Sequence, residues 1–196
     1  MYLVRIFTSV AIILFECQYV PADICQSFMA HDLVPDIVSY PPKCSVSITF
    51  PSGGEVLEGK ELPLSEVQGY PILWWGAKEG VYYTIMFCDA DAPSSEAPVA
   101  RSFLHWLKMN VIMDDVTTGD TVVELTNSYP EPDTGLHRYV FLVYEQPEKI
   151  RFLDAYPNSS CRGRMNFCPD EFAEKYNIGH PVAGNFYLTK NINISK

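Results

Sequence analysis

Outside its N-terminus, the 196-residue chain has no apolar run long enough to cross a bilayer, so no interior transmembrane helix is expected. Positive charge is scarce: 14 Lys and Arg stand against 24 Asp and Glu, for a net charge of −10. Such a field does not draw the chain to nucleic acid or anionic membrane surfaces, so any anion site must be built locally. Internal repeats and low-complexity tracts are lacking, and no linker divides the chain into two domains. CxxC, His-x-His and HExxH spacings are all missing, which leaves a zinc or iron site without support. There is no GxSxG element either, so nucleophilic hydrolysis has no recognisable setting.

What is present begins with MYLVRIFTSVAIILFECQYVPAD, where Arg5 precedes an apolar run from Ile6 to Phe15. The run is short for a membrane span and suits a signal-peptide core, with a small-residue cleavage site at Val20-Pro21-Ala22. The expectation is a signal peptide over 1–22 and a single extracellular domain over 23–196; the competing reading is an uncleaved anchor helix. Removing 1–22 takes away one cation, Arg5, and one anion, Glu16, and leaves the net charge at −10. Of six cysteines, Cys17 falls in this leader. The remaining odd set (Cys25, Cys44, Cys88, Cys161, Cys168) implies at least one free thiol or an intermolecular bond in an oxidising compartment. Cys88, inside an apolar strand, is the expected thiol, with Cys25–Cys44 and Cys161–Cys168 as the expected pairs. Sequons at Asn158 and Asn193 agree with secretion.

Composition favours β structure: 47% hydrophobic residues, 13% aromatics and 15 prolines suit a loop-rich β architecture better than a helical bundle. Residues 23–43 read as an irregular arm. CSVSITF alternates with Val46, Ile48 and Phe50 on one face, a half-buried strand ended by PSGG. VYYTIMFCDAD and LHRYVFLVYEQ are apolar on both faces and read as central strands. In SFLHWLKMNVIM, alternation puts Phe103, His105, Leu107 and Met109 on one face and Leu104, Trp106 and Ile112 on the other. TVVEL and PVAGNFYLTK supply further strands, and Asp170 is placed to cap a short helix over EFAEKY. The fold class is mainly β: an antiparallel β-sandwich with a large central sheet and few short helices.

Four polar residues interrupt these strands: Asp89, Asp91, His105 and His137. Singly, each has an ordinary explanation as a solvated turn or a satisfied core histidine. Together they lie near strand ends, where a sheet edge opens, and NSYPEPDTG feeds a proline-stiffened loop into His137. Histidine and carboxylate at such a place admit metal binding, acid–base chemistry, nucleophile activation or anion binding.

At this point the blocks YTIMFCDADAPS, RSFLHWLKMNV and TGLHRYVFLVYEQP, in that order and followed by PVAGNFY, resemble the phosphatidylethanolamine-binding protein family over most of residues 40–190. The resemblance implies a β-sandwich-like fold around a large antiparallel sheet, with a small pocket for phosphate-like anions and phospholipid headgroups. It also implies a non-enzymatic protein without metal or cofactor. Carried over by position, the ligand-binding residues are Asp89, Asp91, His105, Pro130, His137 and Tyr187, with Tyr139 supporting the wall. The chain departs from the family pattern at Ala90, Leu104 and Tyr129-Pro130-Glu131, where Glu131 adds negative charge to the mouth.

The expected activity is therefore secreted binding of a phospholipid headgroup such as phosphatidylethanolamine, or of a small phosphate-like anion. The aspartates would accept hydrogen bonds from the histidines and favour their protonated forms. An ammonium meeting a carboxylate would make zwitterions preferable to bare phosphate. The rival readings are a protease inhibitor or signalling modulator acting through a protein partner, a carrier of small hydrophobic or odorant ligands, and, last, a weak hydrolase. Binding to nucleic acid and stable insertion into membranes are not expected.

Overall fold

The computed structural model describes residues 23–152 and 163–192. The expected signal peptide, Cys161 and both sequons lie outside the described residues. Eight strands run in chain order: β1 Cys44–Ser45, β2 Ser47–Thr49, β3 Ile72–Trp74, β4 Tyr82–Asp89, β5 Phe103–Ile112, β6 Asp120–Val123, β7 His137–Gln146 and β8 Ala183–Thr189. Among the described residues three α-helices accompany them: α1 Ile24–Ala30, the single turn α2 Leu33–Asp36, and α3 Pro169–Tyr176. A six-stranded sheet has the order β1-β8-β7-β4-β5-β6, and β2 pairs with β3 in a separate two-stranded sheet.

The large sheet is a partition between two cores. On one side Met86, Cys88, Val140, Leu142 and Phe186 pack against Ile24 and Phe28 of α1 and Phe172 of α3. On the other, Ile85, Phe87, Phe141, Val143 and Tyr187 meet Val46, just ahead of β2, and Ile48 and Leu73 from the small sheet. Strands β4 and β7 lie between apolar layers on both sides, which is why their sequences are apolar on both faces.

Several expectations are corrected. The arm 23–43 is not wholly irregular: Ile24 and Phe28, four residues apart, bury one stripe of α1. The strand at 44–50 divides, because Val46 donates its N–H to Gly184 O and the chain then crosses to the small sheet. The β1–β8 pairing is parallel, so the large sheet is mixed rather than wholly antiparallel. Helix α3 starts two residues earlier than expected, with Cys168 at the N-cap and Pro169 at the first helical position. Asp170 instead accepts the Ser39 N–H at 2.7 Å.

The disulfide expectation fails as well. Cys25 and Cys168 carry free thiols, so neither expected pair is formed. Cys25 lies off the buried Ile24–Phe28 stripe of α1, an orientation that sequence separation cannot supply. Cys88 is a buried thiol, as expected, and burial pushes its pKa to about 12.

Candidate functional site

The site is a row across four strands. Register places Phe103 opposite Asp89, Asp89 opposite Tyr139, and Tyr139 opposite Tyr187. One residue from each of β5, β4, β7 and β8 thus meets at the same height near one end of the sheet. Tyr139 stacks on Tyr187 at 5.4 Å between ring centroids and 12° between planes. His137, two residues before Tyr139 and so on the same face, stacks at 6.3 Å from it.

Asp89 is the hub. Its Oδ2 lies 2.8 Å from His137 Nδ1, and its Oδ1 accepts the Asp91 N–H at 2.8 Å. Tyr139 stands directly opposite Asp89 in register, so its hydroxyl feels the same carboxylate charge. Burial, with the Asp89 charge adding to it, raises the Tyr139 hydroxyl well above its ordinary value and keeps it a neutral donor. Tyr187 is likewise raised by burial, and its hydroxyl shares a hydrogen bond with Ser128 Oγ.

His137 spends both ring nitrogens inside the protein. Nδ1 faces Asp89, while Nε2 sits 2.9 Å from Thr134 Oγ1. That hydroxyl donates to Glu131 O at 2.7 Å, so its lone pair is what His137 meets. His137 therefore pins loop 127–135 over the row. Pro130 lies buried in this loop, and its carbonyl accepts Asn191 Nδ2 at 3.1 Å.

His105 reaches the same face by a different route. The β4–β5 register passes from Phe87↔Trp106 to Cys88↔Leu104, leaving His105 as the extra residue of a β-bulge. The strict alternation expected for this strand is broken here. Leu104 and Leu107 enter the helix-side core, while His105 and Trp106, though adjacent, share the opposite side. The His105 ring centroid lies 5.3 Å from that of Tyr139 and 5.2 Å from that of Phe87. Nδ1 is 3.0 Å from Thr126 O, and since a carbonyl only accepts, Nδ1 carries the proton. Burial lowers the His105 pKa against the opposing pull of Asp89. The expectation that both histidines would be biased toward the charged form is thus corrected at His105: its desolvation outweighs the carboxylate.

Asp91 is not part of the row. Two residues along an extended chain would put Asp91 beside Asp89, but β4 ends at Asp89 and the chain turns. The Asp91 carboxylate is held bidentately by Arg138, Nε to Oδ2 at 2.9 Å and Nη2 to Oδ1 at 2.7 Å. Arg101 adds a contact at 3.2 Å, and both arginines also pair with Asp36 of α2. Burial opposes ionisation of Asp91, yet the Arg138 hydrogen bonds and charge together hold its carboxyl below the usual range. Asp91 reaches the site only through its N–H to Asp89.

Sequence reasoning thus brought Asp89, His105, His137 and Tyr187 to one place and missed Thr126, Ser128 and Thr134. Hydroxyl residues in a turn-rich loop carry no sequence signal that separates them from ordinary turn formers. Among the described residues no cluster of His, Cys, Asp and Glu could hold a metal ion, and no helix is long and apolar enough to cross a membrane.

Comparison with known proteins agrees with this architecture. The family profile described as phosphatidylethanolamine-binding protein matches residues 52–187. The chain is 34% identical over 160 residues to a Drosophila melanogaster protein named "Putative odorant-binding protein A5", covering 81% of this chain and 76% of the relative. It is 35% identical over 165 residues to the "26 kDa secreted antigen" of Toxocara canis, covering 83% of this chain and 63% of that protein. In fold it matches a carboxypeptidase Y inhibitor crystallised with its cognate proteinase, with a TM-score of 0.73 at 21% identity over 86% of this chain and 95% of that one. It also matches the phosphatidylethanolamine-binding protein of Plasmodium vivax, with a TM-score of 0.67 at 19% identity over 87% and 98% of the two chains. With the family profile spanning both the Asp89 strand and the Tyr187 strand, the chain belongs to the phosphatidylethanolamine-binding protein family.

Proposed function

We propose that this chain is a secreted, non-enzymatic binding protein whose site at the Asp89 end of the large sheet takes the phosphate of a small headgroup, phosphatidylethanolamine among them. The observation that carries this reading is the cross-strand row itself: Asp89, Tyr139 and Tyr187 in register, with His105 turned onto them by the bulge. The site is aromatic-walled and concentrates neutral hydroxyls and imidazole in a chain of strong negative charge. That is the local device an acidic protein needs to accept an anion. A relative named as a secreted antigen and another named for odorant binding support extracellular binding without chemistry. Calorimetric titration with phosphoethanolamine tests the proposal. Binding that His105→Ala weakens by about 1–3 kcal/mol, the cost of a lost buried hydrogen-bond partner, is expected. No heat at millimolar ligand overturns it.

A second reading, contact with a protein partner, is favoured by one feature. Tyr70, Ile72 and Trp74 are 58%, 74% and 58% exposed and alternate with the buried Pro71 and Leu73, so three large side chains stand on one side of β3. Inhibition of a carboxypeptidase that Ile72→Asp and Trp74→Asp abolish, with phosphoethanolamine binding unchanged, would support it; no inhibition would remove it.

A further inference from the structure

His105 is 6% exposed, and its hydrogen bonds are unevenly used. Nδ1 donates to Thr126 O, with Thr126 Oγ1 3.1 Å away, so the ring's one obligatory proton is committed inward. Among the described residues Nε2 has no hydrogen-bond partner. A neutral imidazole with its proton on Nδ1 presents a bare lone pair at Nε2. His137 cannot supply a donor instead, since Asp89 and Thr134 occupy both its nitrogens. The groups facing His105 are Asp89 from β4, His137 and Tyr139 from β7, and Arg164 from the segment before α3, which donates to His105 O at 2.9 Å. Asp89 alone among them favours a charged His105, and burial, Arg164 and His137 oppose it.

A fully ionised phosphate oxygen brought to Nε2 would meet lone pair against lone pair. The contact becomes favourable in two ways only. Either the ligand brings a hydrogen, as the P–OH of a phosphomonoester monoanion does, or His105 takes a proton from solvent and donates it to the ligand oxygen.

Resting on the anion-site reading above, we propose that His105 Nε2 shares a proton with the ligand, so that the site favours phosphomonoester monoanions and takes up one proton for each phosphodiester it binds. The balance is simple. A monoester monoanion donates its own P–OH to the Nε2 lone pair, and no proton is exchanged with solvent. A diester has no P–OH, so one solvent proton adds to Nε2 and sits between imidazole and phosphate oxygen.

Calorimetry decides it, with phosphoethanolamine as monoester probe and glycerophosphoethanolamine as diester probe. At about pH 7.5, in two buffers of different ionisation enthalpy, the diester heat should differ by about one proton's worth of buffer ionisation, by proton linkage. Its affinity should fall about tenfold for each pH unit above neutrality, the slope one linked proton imposes. At about pH 6, where the monoester is about half monoanion, the monoester should bind about tenfold more tightly than the diester. His105→Gln, which places a permanent N–H donor there, should lose the buffer dependence and bring the two probes to similar affinity. Binding of the diester with no proton uptake and with pH-independent affinity would overturn this inference and leave the anion site standing. Absence of heat with either probe would overturn both. The wild-type measurements decide the matter even if His105→Gln does not fold.

Discussion

At the scale of single residues, the carboxylates of the site divide by what they already hold. Asp89 is occupied on one oxygen by His137 and on the other by the Asp91 N–H, and Asp91 by two arginines. Neither is left to receive a ligand ammonium, so any preference for zwitterions falls to Glu131, exposed in the loop that crosses the row. An exposed carboxylate contributes at most about 1 kcal/mol, so phosphoethanolamine should outbind inorganic phosphate by no more than about fivefold. Competition titrations should show this margin vanish in Glu131→Gln and persist in Asp91→Asn. Asp91→Asn should act on stability instead: with Arg138 left short of its buried partner, a loss of about 3 kcal/mol is expected in urea unfolding. The thiols also separate by environment. Cys88, with its pKa pushed to about 12, should resist alkylation in the folded protein, while Cys25 and Cys168, both partly exposed, react first. Peptide mapping after iodoacetamide treatment would show the order.

At the scale of elements, the loop before β7 governs the site. Gly135 has φ +87°, and a Cβ there would lie 2.3 Å from Ser95 Oγ. Gly135→Ala should cost about 1–2 kcal/mol through the left-handed backbone and should loosen Thr134 from His137, weakening phosphoethanolamine binding as well. This element shows where sequence reading succeeds and where it stops. VYYTIMFCDAD and LHRYVFLVYEQ announced buried central strands because both faces meet apolar layers, and that alone set Asp89 and His137 near one sheet end. Alternation then failed at two points for definite reasons. Asp91 leaves the face of Asp89 because β4 ends and the arginines capture it. His105 and Trp106 share a side because a bulge adds a residue. Neither the bulge nor the arginine clasp has a periodicity to read: each arises from contacts with residues distant in sequence, such as Asp36 and Arg164. α1 went unseen for a related reason, since a seven-residue helix exposes only the two-residue stripe of Ile24 and Phe28.

At the scale of the molecule, the two cores and the ion cluster make stability depend on acid. His105 has a lowered pKa in the fold, so the unfolded chain binds more protons just below about pH 6.5, and stability falls as pH drops through that window. Asp91 is also lowered; its stabilisation is complete above about pH 3.9 and is lost as pH falls through its folded value. Thermal melts should therefore show two successive drops on acidification, the first missing in His105→Gln and the second in Asp91→Asn. Phe28, fully buried and edge-on to Phe186 at 5.4 Å, joins the helical layer to the sheet, and Phe28→Ala should cost about 3–5 kcal/mol. The extra residue in β5 bears on how the chain can vary in length. Segment 93–99 is a surface connection and can absorb insertions. A single deletion within 103–106 would erase the bulge and restore strict alternation, leaving no extra residue to hold His105 on the side it shares with Trp106. Functional relatives aligned to this chain should therefore place their gaps before Phe103 and keep the distance from there to Trp106 constant, whatever else they change.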